Sequence, residues 1–202
     1  MPEDLDMELI IKPLNTELRT SILEELGRLV IEEFKMKYST VKVVYPGDLP
    51  SADSQLIIEE YRADTLMLTE HFNRSGVFPT LFKIYGIQHV LAVTDMYLAN
   101  VDGSLNEGAM NKARDKAAIS CSKFKHDDFE KILGRLLGLA LHEVGHLYGL
   151  KHHIHEMGNE RYCPMLPGGH LINHLGFDPK DPKKFDYLDD KLCLDCRDHL
   201  IS

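Results

Sequence analysis

Apolar and polar positions follow two rhythms along the chain as far as Gly149, and the rhythm predicts the elements. Residues 8–13 (ELIIKP) form a short apolar run that predicts a strand. Between Asn15 and Lys35, Leu18, Ile22, Leu26, Leu29, Val30 and Phe34 recur near the helical period, which predicts an amphipathic helix. TVKVVYP (40–46) predicts a second strand, GDLPSADS is turn chemistry, and the segment from Tyr61 to Phe72 predicts a helix. HVLAVTDMYL (89–98) and AAISCSKF (117–124) predict further strands, with a polar, glycine-containing stretch between them that suits a loop and a short edge strand.

The best-defined helix follows. Phe129, Ile132, Leu133, Leu136, Leu137, Ala140, Val144 and Leu147 recur at helical spacing, Asp127 with Glu130 forms a capping-box pattern at the start, and Gly149 supplies a stop. Beyond Lys151 periodicity is lost: PMLPGGH is turn-forming and GFDPKDPKKFD is charged and proline-containing. A segment that buries so few apolar side chains needs another source of order, which bound metal can provide.

Composition changes the picture in three places. At 202 residues, 44% apolar and 27% charged, the chain suits one compact globular domain, or one domain with a small appended lobe, with a buried core. No apolar run approaches the ~18 residues of a membrane span, and MPEDLDMELIIKPL lacks the basic region and cleavage site of a secretory signal, so a cytoplasmic protein is expected. The formal charge of -9, without clustered Lys and Arg, argues against nucleic acid as a partner. Eight of the 11 histidines lie between His142 and His199, together with three of the four cysteines, in the last third of the chain, which places the chemistry there. The pair Cys193 and Cys196, spaced C-x-x-C in a chain without secretory features, points to metal or redox chemistry more than to a disulfide scaffold.

Residues 142–152 read HEVGHLYGLKH, which is H-E-x-x-H-x-x-G-x-x-H. On a helix, His142 and His146 are four residues apart and project from one face, close enough to bind a single ion. A helix continuing past Leu147 would carry later side chains away, whereas glycine at 149 takes a left-handed turn cheaply and lets His152 return as a third ligand. Three neutral imidazoles leave tetrahedral zinc one open position, the pattern of a catalytic site. Zinc lowers the pKa of bound water towards ~7, and Glu143 beside the ligands is the expected general base. Five fixed positions of this kind match by chance on the order of once in ten thousand such chains.

HEVGHLYGLKH followed by Cys163-Pro164-Met165 resembles the metzincin clan of zinc peptidases, and together with Cys193-x-x-Cys196 it resembles the archaemetzincins. The resemblance covers residues 142–196. It implies an α+β fold with a twisted mixed sheet of four or five strands flanked by helices, an active-site helix and a small irregular C-terminal subdomain, divided at 149/150 within a single peptidase domain spanning 1–202. It implies two zinc ions. One is catalytic, on His142, His146 and His152 above the methionine turn of Met165. The other is structural, on His153, Cys163, Cys193 and Cys196. That second set departs from the family pattern, which has cysteine at the position of His153 and shorter gaps. His155 is the rival for the histidine place, and Cys₃His is an ordinary structural zinc set. A monomer acting on peptide or protein substrates follows, with Ser104 to Met110 as the edge strand that pairs with substrate. A non-catalytic zinc protein that binds peptides or partners is the alternative.

Other residues stay open at this stage. His170 and His174 could face the cleft or be surface histidines. Tyr148 more often packs than acts at such a position, and nothing places Tyr187 near the metal. Cys121 suits a buried small hydrophobe, Asp198 and His199 a polar chain end. Gly145 between the ligands costs about 1 kcal/mol of helix propensity, which suggests close approach of another backbone, such as the methionine turn.

Overall fold

A computed structural model describes residues 8–14, 16–34, 40–43, 58–62, 64–68, 89–153, 163–165 and 192–201. Nine strands and three helices fall within them. In chain order they are β1 (Glu8–Pro13), α1 (Thr20–Phe34), β2 (Thr40–Val43), β3 (Ile58–Arg62), β4 (Thr65–Leu68), β5 (His89–Thr94), β6 (Tyr97–Ala99), β7 (Leu105–Asn106), β8 (Gly108–Met110), β9 (Lys116–Ser120), α2 (Phe129–Leu147) and α3 (Leu194–Ile201). No helix among the described residues is long and apolar enough to cross a membrane.

The main sheet has five strands in the order β2-β1-β5-β9-β8, parallel except for β8, which runs antiparallel to β9 and forms one edge. Its inner strands are buried on both faces, which is why ELIIKP, HVLAVT and KAAIS read as nearly unbroken apolar runs. Side chains alternate across the sheet. Leu9, Ile11, Leu91, Val93, Ala117 and Ile119 pack with α1 and α2, whereas Ile10, Val90, Ala92 and Ala118 pack with Leu66, Leu68 and Leu98 of a second, four-stranded sheet, β3-β4-β6-β7. The molecule is thus helices, sheet and sheet, an α+β arrangement whose central mixed sheet has five strands, where four or five were expected.

Three expectations need correction. The segment predicted as a helix from Tyr61 is, where described, an antiparallel pair of β3 and β4; Leu66 and Leu68 alternate onto one buried face, a period of two that packing against the main sheet selects. Residues 69–72 lie outside the described set. The strand predicted over 89–98 is broken at Asp95 and Met96, where Thr94 Oγ1 accepts from the Met96 amide at 3.1 Å and Asp95 accepts from the Glu17 amide at 2.8 Å; β5 stays in one sheet and β6 enters the other. The N-cap of α2 is Asp128, not Asp127: its carboxylate accepts from the Lys131 amide at 3.0 Å, while Asp127 pairs with Arg135.

The edge strand is shaped by a hairpin in which buried Asn111 closes the turn. Its Oδ1 accepts from the amides of Asp115 and Lys116, both at 3.1 Å, and its amide donates to Asp115. β8 is thereby held against β9 and beside α2, which carries the histidines.

Candidate metal centres and active-site cleft

α2 presents His142, Glu143 and His146 within its last two turns, all on or near the side that faces β8. The helix ends at Tyr148, and Gly149 takes φ +85°, a conformation that favours glycine, so the chain turns back and delivers His152. The three Nε2 atoms converge: His142 to His146 is 3.2 Å, His146 to His152 2.9 Å, and His152 to His142 3.2 Å.

Those distances test whether a metal fits. His142 Nδ1 donates to the Pro164 carbonyl at 2.7 Å and His146 Nδ1 to the Leu150 carbonyl at 2.9 Å, so each neutral ring has its proton on Nδ1 and its lone pair on Nε2. Two lone pairs then face one another with a third imidazole beside them, an arrangement that repels unless a cation sits among them. Burial pushes the His142 pKa down to about 4, and burial also lowers His146 and His152, which keeps the rings in the neutral form that metal binding requires. The donor set fits a three-histidine metal site.

Glu143 is buried beside this group, and burial pushes its carboxyl up to about 8. Room for it comes from Gly108 in β8: a Cβ there would lie 2.3 Å from Glu143 Oε1. Gly145 makes room in the same way on the other side, where a Cβ would lie 2.5 Å from Met165 Sδ. The close approach anticipated at Gly145 is therefore that of the Met165 side chain, rather than of a backbone. A cavity of about 410 Å³ opens over the histidines, lined by Leu105 to Met110, Lys123, Leu139, His142, Glu143, His146 and His152. The expected edge strand, Ser104 to Met110, supplies one wall of that cavity except for Ser104 itself.

A second group gathers His153, Cys163, Cys193 and Cys196, with all four donor atoms within 4.8 Å of one another. His153 Nε2 is 3.0 Å from Cys196 Sγ and 3.6 Å from Cys193 Sγ, and Cys163 Sγ is 3.8 Å from Cys196 Sγ. The three thiols are buried and none is in a disulfide. A hydrogen bond from Cys196 holds the Cys163 thiol down to about 5, while that same contact pushes Cys196 up, and burial pushes Cys193 up. One thiolate thus forms at the expense of its neighbours. A divalent cation would let all three ionise, and three sulfurs with one imidazole are a donor set that suits structural zinc.

The two groups share short pieces of chain. His152 and His153 are consecutive, one in each. In Cys163-Pro164-Met165, the cysteine faces the second group, the proline carbonyl orients His142, the methionine fills the space left by Gly145, and its carbonyl accepts from the His153 amide at 3.1 Å.

Sequence reasoning overlooked Glu33 and Gly108. Glu33, on α1, accepts from the Leu192 amide at 3.0 Å and from Arg197 Nε and Nη2 at 2.9 and 2.7 Å. It therefore grips the residues immediately before and after the Cys193–Cys196 pair, across more than 150 residues of chain. No local signal marks such a contact. For Gly108 a signal existed, since glycine inside a strand marks close approach by another group. Tyr148 packs, stacked on Phe34 at 5.8 Å and edge-on to His89 at 5.0 Å. Cys121 is buried, with its thiol pushed up to about 12 by burial, and Asp198 and His199 are exposed on α3. His155, His170, His174 and Tyr187 lie outside the described residues.

Fold and site together define the class: this is the fold of the archaemetzincins, carrying one group of three histidines and one of a histidine with three cysteines. The crystal structure of an archaemetzincin from Methanopyrus kandleri superposes with a TM-score of 0.58 at 19% identity, covering 99% of this chain and 96% of that one. An archaemetzincin from Archaeoglobus fulgidus gives 0.58 at 18% identity, over 96% of this chain and 99% of that one. A zinc-dependent peptidase from Methanocorpusculum labreanum gives 0.55 at 17%, with the same coverage. No protein-family model matches the sequence. No curated protein matches it either.

Proposed function

We propose that this chain is a zinc-dependent peptidase with a catalytic zinc on His142, His146 and His152, Glu143 as general base, and a structural zinc on His153, Cys163, Cys193 and Cys196. The observation that carries the reading is the meeting of three Nε2 atoms and one buried carboxyl group at the wall of an open cavity. Zinc bound there would act as a Lewis acid that acidifies water and polarises a peptide carbonyl.

The remaining steps belong to the chain. Glu143, which a cation on the neighbouring histidines would keep ionised, accepts a proton from the attacking water and delivers it to the leaving amine, so the C–N bond breaks to give a carboxyl and an amine. The Pro164 and Leu150 carbonyls hold His142 and His146 in the tautomer that turns Nε2 inward. β8 is a sheet edge lining the cavity, where an extended peptide can add as a further strand. On this reading the peptidase domain divides at 149/150, with the sheet and α2 before the boundary and His152, Met165 and the second zinc group after it. Four free cysteines suit the reducing cytoplasm.

A non-catalytic zinc protein would gain nothing from burying a carboxylate beside its ligands. The test is cleavage of a peptide library by the zinc-loaded protein and by Glu143→Gln. Cleavage by the first and at most a small residue of it by the second is expected; equal cleavage by both would remove Glu143 from the mechanism.

A further inference from the structure

The cavity over the histidines carries an ion pair whose two ends are anchored unequally. Its apolar surface comes from Leu105, Met110 and Leu139, and its charged pair is Lys123 with the Glu107 carboxylate. The Glu107 side chain is 15% exposed, whereas that of Lys123 is 58% exposed. Glu107 is also held through its backbone, since its carbonyl accepts from the Ser120 amide of β9 at 2.7 Å and it sits directly between β7 and β8. The acid is built into the wall, and the ammonium approaches it from solvent.

Resting on the peptidase reading above, we propose that Glu107 is a specificity-determining residue, which makes the cavity take a Lys or Arg side chain of the peptide, with Lys123 occupying that cation's place until substrate binds. Displacing Lys123 exchanges one ion pair for another and returns an already exposed ammonium to water, where such pairs are worth little. An acidic substrate side chain seeking Lys123 would instead leave the less exposed Glu107 unpaired beside a second carboxylate, which is unfavourable on both counts. A neutral side chain gains the apolar wall only. Lys and Arg gain both, because their methylene stems suit Leu139 and Met110 while the head meets the acid. The chain's formal charge of -9 works in the same direction on the approach of a basic peptide.

The test pairs cleavage with binding. Cleavage of a peptide library by the zinc-loaded protein should show Lys and Arg enriched at one position, roughly five- to tenfold over Leu in kcat/KM. Equilibrium binding to the Glu143→Gln protein, by fluorescence anisotropy on a peptide series differing only in Lys, Leu or Glu at that position, should follow the order Lys, Leu, Glu. Where cleavage names no position, the same three residues are scanned through the peptide. Glu107→Gln should erase the advantage of Lys over Leu. Lys123→Ala should keep that advantage and Lys123→Glu should enlarge it, which maintains the test if Glu107→Gln does not fold. A basic preference unmoved by Glu107→Gln, an acidic preference abolished by Lys123→Ala, or indifference to charge overturns the proposal. Binding in the expected order without any cleavage by the parent protein would uphold it and sink the peptidase reading instead.

Discussion

His152 and His153 are neighbours in the chain, yet they point into side-chain groups of opposite character. His152 points its Nε2 to two other imidazoles beneath a cavity of about 410 Å³, whereas His153 points to three buried thiols. Three donors beside open space leave a coordination position for reacting water; four donors packed in the core complete a tetrahedron and leave none. Side-chain chemistry follows the same division. Neutral imidazoles leave a bound dication strongly electrophilic, and thiolates neutralise it, so one centre suits catalysis and the other suits cross-linking the chain. The comparison teaches that surroundings and ligand identity together separate the two roles on this reading.

The sharpest way to break the comparison is Glu143→Gln. Peptide hydrolysis should fall about 10²–10⁴-fold, the usual worth of general acid–base catalysis, with metal content unchanged by elemental analysis. A variant that also loses metal would show that Glu143 serves the centre's integrity and not its chemistry.

Next comes the closed centre. The parent protein should hold two zinc ions per chain, and Cys193→Ser with Cys196→Ser should hold one, melting on the order of 10 °C lower in calorimetry. Because Pro164 and Met165 continue directly from Cys163, affinity at the histidine centre should weaken as well, by about tenfold in a chelator competition. Two ions retained in the double variant would mean the thiols do not form a site.

Gly108→Ala probes the open side. The added Cβ meets the Glu143 carboxylate, so kcat should drop about 10- to 100-fold while metal content and melting change little. An unchanged kcat would mean that Glu143 is not held in a working position by β8.

The smallest effect is expected at Glu33→Gln, which weakens the grip on Leu192 and Arg197. With the Arg197 side chain 39% exposed, the loss should be about 1–2 kcal/mol in a denaturant melt, together with faster zinc release from the closed centre alone. Equal acceleration at both centres would show that Glu33 supports the whole base of the molecule and not the cysteine pair.

Local sequence determined the elements whose pattern is strong and short in range. α1 and α2 follow from helical periodicity, the buried strands from apolar runs, the ligand face from the four-residue spacing of His142 and His146, and the reversal at Gly149 from the one residue that takes φ +85° without strain. Where a pattern was ambiguous, tertiary packing chose. The segment after Tyr61 forms strands because the main sheet offers a second face for Leu66 and Leu68 to cover, and Asp95 breaks a continuous apolar run so that it can join two sheets. Gathering Cys163, Cys193, Cys196 and His153 into one group, anchored by Glu33 on α1, required contacts between segments remote in the chain. So did the clearance of Gly108 for Glu143. Spacing along one helix is a property of bonded neighbours and can be read from sequence, whereas an orientation set by van der Waals contact across elements exists only once the chain has folded.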